Sequence, residues 1–249
     1  MPKSKDTYDI ILDDIQLLIR NLLGTGDLIN PKFSSKHCTD LKICSNCSSG
    51  IIKNTSYVRL FLEEYNNNNY LFLLPDRSMI QCNYEFSLVN KTKKVRKVNL
   101  VFLPNPNGKM EEFDYLINDL EEDIEIIQEL YSDSLANEYL NDFKYSSNYI
   151  RLDYTDAPDD HTEFLHARCH AHIGLNNNFR IPINRVPLLS EFVDLVLYLN
   201  YPELWEKHVS TESSQVTMKD ICKRKNSIIV STIEKVLTEG ELNNYHIVI

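Results

Sequence analysis

The chain has 249 residues, enough for one large domain or two small ones, and its hydrophobic fraction of 43% is that of a protein with a packed core. It contains no uninterrupted apolar run of about 20 residues, the length that a membrane-crossing helix needs. Acidic residues also interrupt the apolar stretch near Met1, which argues against a secretory signal. We therefore expect a soluble, cytoplasmic protein that does not enter a membrane.

The net charge of −10 comes from one segment. Residues 111–142 hold twelve of the 36 acidic residues and no Lys or Arg, so the remainder is close to neutral. This segment is a candidate docking site for a basic protein partner, either an antitoxin or a subunit of a complex. A solvated helix face is the alternative. The basic cluster Lys91–Lys97 is a candidate for local RNA contact, or is simply a solvated hairpin turn.

The first half of the chain predicts a helix, a loop and a set of strands. Apolar residues recur at helical spacing over residues 7–23, within an N-terminal segment 1–24 that ends in glycines: Ile10, Ile11, Ile15, Leu18 and Leu22. Residues 27–54 are rich in Ser, Asn and Cys and predict a loop. Residues 56–104 hold four short runs of aromatic and branched side chains, which predict a meander of antiparallel strands.

Six cysteines in a cytoplasmic chain are expected to be thiols. The pair Cys44 and Cys47, with His37 and Cys38 just upstream, resembles half of a zinc site. A structural zinc ion takes four ligands, commonly as two close pairs. The other cysteines stand singly: Cys82, Cys169 and Cys222. A loop with free thiols is therefore favoured, and we predict no tightly bound metal at Cys44 and Cys47.

The second half alternates helices and strands. Apolar residues at steps of three or four predict a helix over residues 109–143. Strands are predicted at 149–154 and 168–173, followed by a turn into Phe179–Pro182. Residues 188–200 are apolar nearly all round and predict a buried helix that Pro202 stops. A last helix is predicted over roughly 217–238, before a tail that suits a short strand.

These elements predict one α+β domain over residues 1–249, a mostly antiparallel sheet with helices packed on one face. Residues 55–205 form its core, and residues 206–249 add a C-terminal helix and tail. Within the core, alternate residues of a strand share a face. Strand 149–154 would then present Arg151 and Asp153 on one face, and the second strand would present four residues: His166, Arg168, His170 and His172. If these two strands are antiparallel neighbours, as we predict, their polar faces coincide.

Three uses of such a cluster are open. The first is general acid–base chemistry on a phosphodiester, because imidazole exchanges protons near neutral pH and arginine binds phosphate. RNA suits this use, since its 2′-hydroxyl can be the nucleophile. The second is a divalent metal site made by His170, His172 and a carboxylate such as Asp153. The third is structural, with the histidines bonded to Asp153 and to backbone carbonyls.

The motifs in this region resemble the bacterial family known as domain of unknown function 2290. The resemblance covers roughly residues 50–205 and lies in an R-x-D-Y strand, an H-x-x-x-H-x-H-I-G strand, an R-I-P turn and an E-F helix: Arg151, Asp153, Tyr154, His166, His170, His172, Gly174, Arg180, Pro182, Glu191 and Phe192. One departure is Ala167, where the family often has proline. The family implies no activity. A weaker likeness connects the strand pair to small bacterial toxins of toxin–antitoxin systems.

The leading hypothesis is a bacterial toxin-like or phage-defence protein with a nuclease-like site, a ribonuclease if it is an enzyme. The catalytic candidates are four residues: His166, His170, His172 and Asp153. The candidates for holding the substrate phosphate are Arg151, Arg168 and Arg180. No cofactor is required by this hypothesis, although the histidine cluster leaves a divalent metal open. The alternative is a non-catalytic interaction subunit of a multi-protein defence or mobile-element complex.

Overall fold

The structure is a computed structural model, and it describes eight ranges: residues 6–33, 38–45, 57–106, 148–157, 160–163, 165–175, 180–210 and 236–242. The predicted helix 109–143, with its acidic segment 111–142, and most of the predicted helix 217–238 lie outside these residues. So does the C-terminal tail. Within the described ranges, no helix is both long enough and apolar enough to cross a bilayer.

The predicted fold class, α+β with an antiparallel sheet, is confirmed. In chain order the described elements are α1 (Thr7–Thr25), β1 (Cys38–Thr39), β2 (Lys42–Cys44), α2 (Tyr57–Asn66), β3 (Phe72–Leu73), β4 (Met79–Val89), β5 (Thr92–Leu103), β6 (Ile150–Thr155), β7 (Cys169–Ile173), β8 (Ile181–Pro182), α3 (Leu189–Asn200), α4 (Pro202–Ser210) and α5 (Glu239–Leu242). The sheet order is β1-β2-β4-β5-β6-β7-β8, with β3 paired to β4, and every pairing is antiparallel.

The centre of the sheet is the long hairpin β4–β5. Its turn is made by Asn90 and Lys91, which both have positive φ, at 51° and 67°. A turn with two consecutive residues at positive φ has a twist that matches the right-handed twist of the flanking strands. Asparagine tolerates positive φ better than most residues. Strand β6 pairs with β5, and β7 pairs with β6, so that Asp153 lies opposite His170. The predicted adjacency of the two motif strands is therefore confirmed.

Helices α1 and α3 pack on one face of this sheet. The face consists of alternate apolar residues of the central strands, among them Leu100, Leu152 and Ala171, which are at most 2% exposed. Phe192 of α3 is fully buried in the same cluster. Full burial of such side chains stabilises a fold by about 1.5–3 kcal/mol each, so this face holds the domain together.

Helix α2 corrects one prediction, because residues 57–66 are not a strand. The run contains aromatic and branched residues that favour strands, but Tyr57, Leu60 and Phe61 are buried at helical spacing. Packing on the sheet therefore overrides local preference. This helix lies on the face opposite α1 and α3, against a second apolar cluster that includes Val101 and Tyr149.

Residues 38–44 correct another prediction, since they form the edge hairpin β1–β2 instead of a loop. Ile43 is fully buried and joins the main core, while its neighbours are partly exposed. A side-chain hydroxyl then ties the end of the hairpin to β4, because Ser45 Oγ accepts a hydrogen bond from the backbone N–H of Cys82 at 2.9 Å. A single buried residue, Ile43, does not make a periodic pattern, so the sequence alone did not indicate this hairpin.

Glu191 explains why the E-F motif matters for folding. Its carboxylate is fully buried, accepts a hydrogen bond from Arg185 Nη2 at 2.7 Å and accepts another from the backbone N–H of Leu188 at 2.8 Å. The second bond caps the N-terminus of α3, where orphan N–H groups and the helix dipole favour a negative charge. Glu191 and Phe192 therefore anchor α3 on the sheet and lie in the core.

Candidate catalytic cleft on the polar face of the sheet

Polar side chains line up across four strands on the face opposite α1 and α3. The register pairs Asn83 of β4 with Asn99 of β5, Asn99 with Asp153 of β6, and Asp153 with His170 of β7. Directly paired residues of a sheet share a face and lie about 4.5–5.5 Å apart. The next row of the same face contains Arg151 paired with His172. The sheet itself therefore brings these side chains together.

Asp153 is the most connected side chain of this group. Its Oδ1 accepts a hydrogen bond from Asn99 Nδ2 at 2.6 Å, and its Oδ2 accepts one from Arg151 Nε at 2.7 Å. The Nε2 atoms of His172 and His170 lie 3.5 and 3.8 Å from the same Oδ2. The carboxylate is thus held by Arg151 of its own strand and by Asn99 of the neighbouring β5, while its Oδ2 faces two imidazoles.

His170 is oriented by the backbone. Its Nδ1 lies 2.8 Å from the carbonyl oxygen of Ala167, so the ring donates its Nδ1–H there and keeps a lone pair on Nε2. Burial lowers the pKa of His170 to about 4, and the nearby His172 and His166 rings act in the same direction. The backbone bond and Asp153 oppose this shift without overcoming it. At neutral pH His170 is therefore an uncharged imidazole with Nε2 directed at Asp153.

The three histidine rings form a chain of edge-to-face contacts. The His166 and His170 ring centroids lie 4.9 Å apart, and so do those of His170 and His172. His166 is the least buried of the three, and a bridge between Thr162 and His166 holds its backbone. Burial lowers the pKa of His166, and the positive charge of Arg180 lowers it further.

A cleft of about 440 Å³ opens over these rings. Its walls come from β4, β5, β6, β7 and the connections around them. Among the described residues, four cationic side chains line it: Arg96, Lys97, Arg151 and Arg180. Three carboxylates also line it, from Glu85, Asp153 and Asp160. The cleft is thus locally more positive than a chain of net charge −10 would suggest, and it suits an anionic ligand.

Helix α2 covers the same face beyond the cleft. Glu64 of this helix accepts a hydrogen bond from Gln81 Nε2 of β4 at 2.7 Å, and both side chains are buried. Tyr149, beside Arg151 at the start of β6, is 2% exposed, and burial raises its pKa to about 12. This face of the sheet is therefore covered by α2 and an apolar cluster at one end. At the other end, over the cleft, it is charged and open.

The structure gathers most of the predicted site residues. Asp153, His170, His172 and Arg151 converge, and His166 and Arg180 line the same cleft. Arg168 is different: it precedes the first residue of β7 and is absent from the cleft lining.

Two polar residues at the site, Asn83 and Asn99, were not predicted. The basic cluster Lys91–Lys97, predicted only as a candidate for local RNA contact, contributes Arg96 and Lys97 to the cleft. The signal for the two asparagines was present in their strands. Gln81, Asn83 and Glu85 alternate with buried Cys82 and Tyr84 in β4. Asn99 interrupts the apolar run between Val98 and Leu100 in the same way. Polar residues at every second position therefore mark the face that becomes the site.

One group of described residues offers metal-ligand atoms. Asp153, His170 and His172 each present one such atom, and these atoms all lie within 4.8 Å of one another. Cys44 is partly buried and forms no disulfide with a described residue, but Cys47 lies outside the described residues. The expectation of no metal at that pair therefore stays a prediction.

Residues 30–249 match the family described as an uncharacterized conserved protein, DUF2290. The chain belongs to this family, as its strand motifs predicted. No curated protein and no solved structure matches the chain significantly. The family description names no substrate or reaction, so any function must be inferred from the cleft itself.

Proposed function

We propose that this protein is an RNA-cleaving enzyme of a toxin-like or phage-defence type, with its active site in the cleft over β6 and β7. The observation that carries the proposal is the joint presence of the Asp153, His170 and His172 cluster and of four cationic side chains in one cleft. Clustered ionisable groups whose pKa values are shifted by burial are typical of catalytic sites. Arginine and lysine beside them suit a phosphate group.

The chemistry assigned to the cleft is transesterification of an RNA phosphodiester. The 2′-hydroxyl loses its proton, O2′ bonds to phosphorus, the P–O5′ bond breaks, and O5′ takes up a proton. The products are a 2′,3′-cyclic phosphate and a 5′-hydroxyl. The buried cluster of Asp153, His170 and His172 supplies the base. His166 is the candidate proton donor, because it lies in the cleft and is more exposed than the other two rings. Its lowered pKa reduces the fraction that is protonated but makes the protonated ring a stronger acid than a free imidazolium.

The cationic residues hold the phosphate in this proposal. Arg151 is itself positioned by Asp153, and Arg180 approaches from the segment before β8. Arg96 and Lys97 end the basic cluster Lys91–Lys97, which runs from the hairpin turn into the cleft. A polynucleotide that leaves the cleft along β5 would therefore meet further positive charge, whereas a small phosphate ester would not reach it.

A protein partner belongs to the same proposal. The acidic segment 111–142 would dock a basic antitoxin or complex subunit, since it holds twelve acidic residues and no basic one. Such a contact is electrostatic, so its affinity should fall as salt is added.

Purified protein and a labelled RNA oligonucleotide test the activity. Unmodified RNA should be cleaved to a 2′,3′-cyclic phosphate, whereas the same sequence with 2′-O-methyl groups should stay intact. His170→Ala should reduce the rate by about 100-fold or more, since acid–base groups contribute factors of that size. Leu165→Ala, at a residue 74% exposed and outside the cleft lining, should keep the wild-type rate. Equal cleavage of both RNAs, or no cleavage, would refute the proposal.

Inducible expression in a bacterial host tests the toxin-like setting separately. Wild type should slow growth, and His170→Ala should not. Equal growth of the two strains at equal protein levels would count against a toxic nuclease.

A further inference from the structure

We propose that Asp153, His170 and His172 bind one divalent first-row transition metal ion, of the series from Mn²⁺ to Zn²⁺. The inference stands on the geometry of these three residues and does not depend on RNA being the substrate. Two imidazole nitrogens and one carboxylate oxygen form a donor set that such ions accept.

The distances fit ligands that share an ion. Two ligands, each about 2.1 Å from a metal, lie about 3.0 Å apart at octahedral corners and about 3.4 Å apart at tetrahedral ones. The Nε2 atoms of His172 and His170 lie 3.5 and 3.8 Å from Asp153 Oδ2. These separations are longer than the roughly 2.9 Å of a hydrogen bond to a carboxylate. A contraction of a few tenths of an ångström would bring each imidazole nitrogen to the required distance from Asp153 Oδ2. The three ligand atoms all lie within 4.8 Å of one another, so the two imidazole rings would also move toward each other as they close around an ion.

The surroundings of the ligands are those of a metal site. The ring of His170 donates its Nδ1–H to the Ala167 carbonyl, which fixes the tautomer that offers Nε2 as the ligand atom. Asn99 holds the other carboxylate oxygen of Asp153 and so fixes the orientation of the ligating one. His170 and His172 are 3% and 6% exposed, so the ion would be anchored on a buried wall. The cleft leaves its remaining positions open to substrate or water.

Arg151 sets the expected strength of the site. Its Nε donates to the same Asp153 oxygen at 2.7 Å, so a positive charge lies close to where the cation would bind. Repulsion between the two charges weakens binding, and we expect micromolar affinity instead of the tighter affinity of a closed structural zinc site. Arg151→Gln should tighten binding by about tenfold because it removes that charge.

An ion here gives the cluster a chemical role that bare imidazoles lack. A divalent metal lowers the pKa of a bound water and neutralises charge on a phosphate oxygen. In the proposed RNA cleavage, Asp153, His170 and His172 would hold the ion, and the ion would supply a base near the 2′-hydroxyl and positive charge beside the phosphate. His170 and His172 would then be ligands, and His166 would remain outside the coordination sphere.

Titration calorimetry on the purified full chain, stripped with chelator and dialysed, tests the site with Mn²⁺ and Zn²⁺ separately. One ion per chain should bind to wild type. Asp153→Asn and His172→Asn should each weaken binding by about 100-fold or more, while His166→Asn, in the same cleft, should bind within about threefold of wild type. Circular dichroism checks that each variant is folded. No binding to folded wild type at millimolar metal, or binding that survives both ligand substitutions, overturns the site.

Co²⁺ provides a second readout that does not involve activity. Bound Co²⁺ should give visible d–d absorption without the intense near-ultraviolet charge-transfer band of a cobalt–thiolate bond. A thiolate band would move the site to the cysteines and overturn the inference. Metal binding without RNA cleavage would overturn the proposed function and leave the metal site standing. If the protein binds no metal in the titrations and still cleaves RNA at the full rate after treatment with chelator, the metal site is overturned and the proposed function stands.

Discussion

Strands β6 and β7 bury two different kinds of surface. On one face Leu152 and Ala171 are at most 2% exposed and pack against α1 and α3. On the other face His170 and His172 are almost as buried, at 3% and 6%. Apolar burial stabilises a fold, whereas burial of an ionisable imidazole opposes its charged form, which is why the pKa of His170 falls to about 4. The first face accounts for stability, and we propose that the second serves the function of the protein.

The largest expected effect on stability lies on the apolar face. Phe192→Ala should lower the free energy of unfolding by about 3–5 kcal/mol, because it removes a fully buried ring and leaves a cavity against the sheet. Leu199→Ala is the matched control on the same helix, at a residue 50% exposed, and should change stability by about 0.5 kcal/mol or less. Chemical denaturation measures both. Similar losses for the two variants would mean that α3 is not the main cover of this face.

A smaller effect on stability should come from lowering the pH, through a buried imidazole that does not line the cleft, that of His208. His208 lies 3.0 Å from Asp27, with Lys207 also bonded to Asp27, and burial lowers the pKa of His208. A folded-state pKa below the unfolded value of about 6.5 means that the unfolded state binds the proton more tightly. The stability that His208 contributes is therefore complete above pH 6.5 and is lost as the pH falls through the folded-state pKa.

His208→Gln isolates this contribution, since the histidines of the cleft are unchanged in the variant. Stability measured between pH 7 and pH 5 should fall less steeply for His208→Gln than for wild type. Parallel curves would show that protonation of His208 does not contribute to acid sensitivity.

The two faces also differ in how far the sequence predicted them. The alternation of polar and apolar residues over 149–154 and 168–173 was enough to predict both strands and their pairing. It also predicted the convergence of Asp153, His170 and His172. Their motifs also pointed to the family that residues 30–249 match. These features depend on local periodicity, which a single sequence displays.

Features that depend on distant contacts were not predicted. Residues 57–66 have the composition of a strand and become a helix because Tyr57 and Phe61 find a covered end of the sheet. Asn99 reaches Asp153 across 54 positions of the chain, and Arg96 and Lys97 enter the cleft only because β5 lies beside β6. No local pattern predicts which strands become neighbours, so these contacts could be identified only in the structure.

We propose that the polar face of β6 and β7 is catalytic and contributes little to stability. The most direct measurement compares RNA cleavage rates and thermal unfolding midpoints of wild type, Asp153→Asn and Asp156→Asn, the last at an exposed carboxylate at the end of the same strand. Asp153→Asn should lower the rate by about 100-fold or more, equivalent to about 2.7 kcal/mol of transition-state stabilisation, and should shift the midpoint by only a few degrees. Asp156→Asn should match wild type in both. An unchanged RNA cleavage rate in folded Asp153→Asn would contradict this proposal. Unfolding of that variant at the temperature of the cleavage assay would also contradict it.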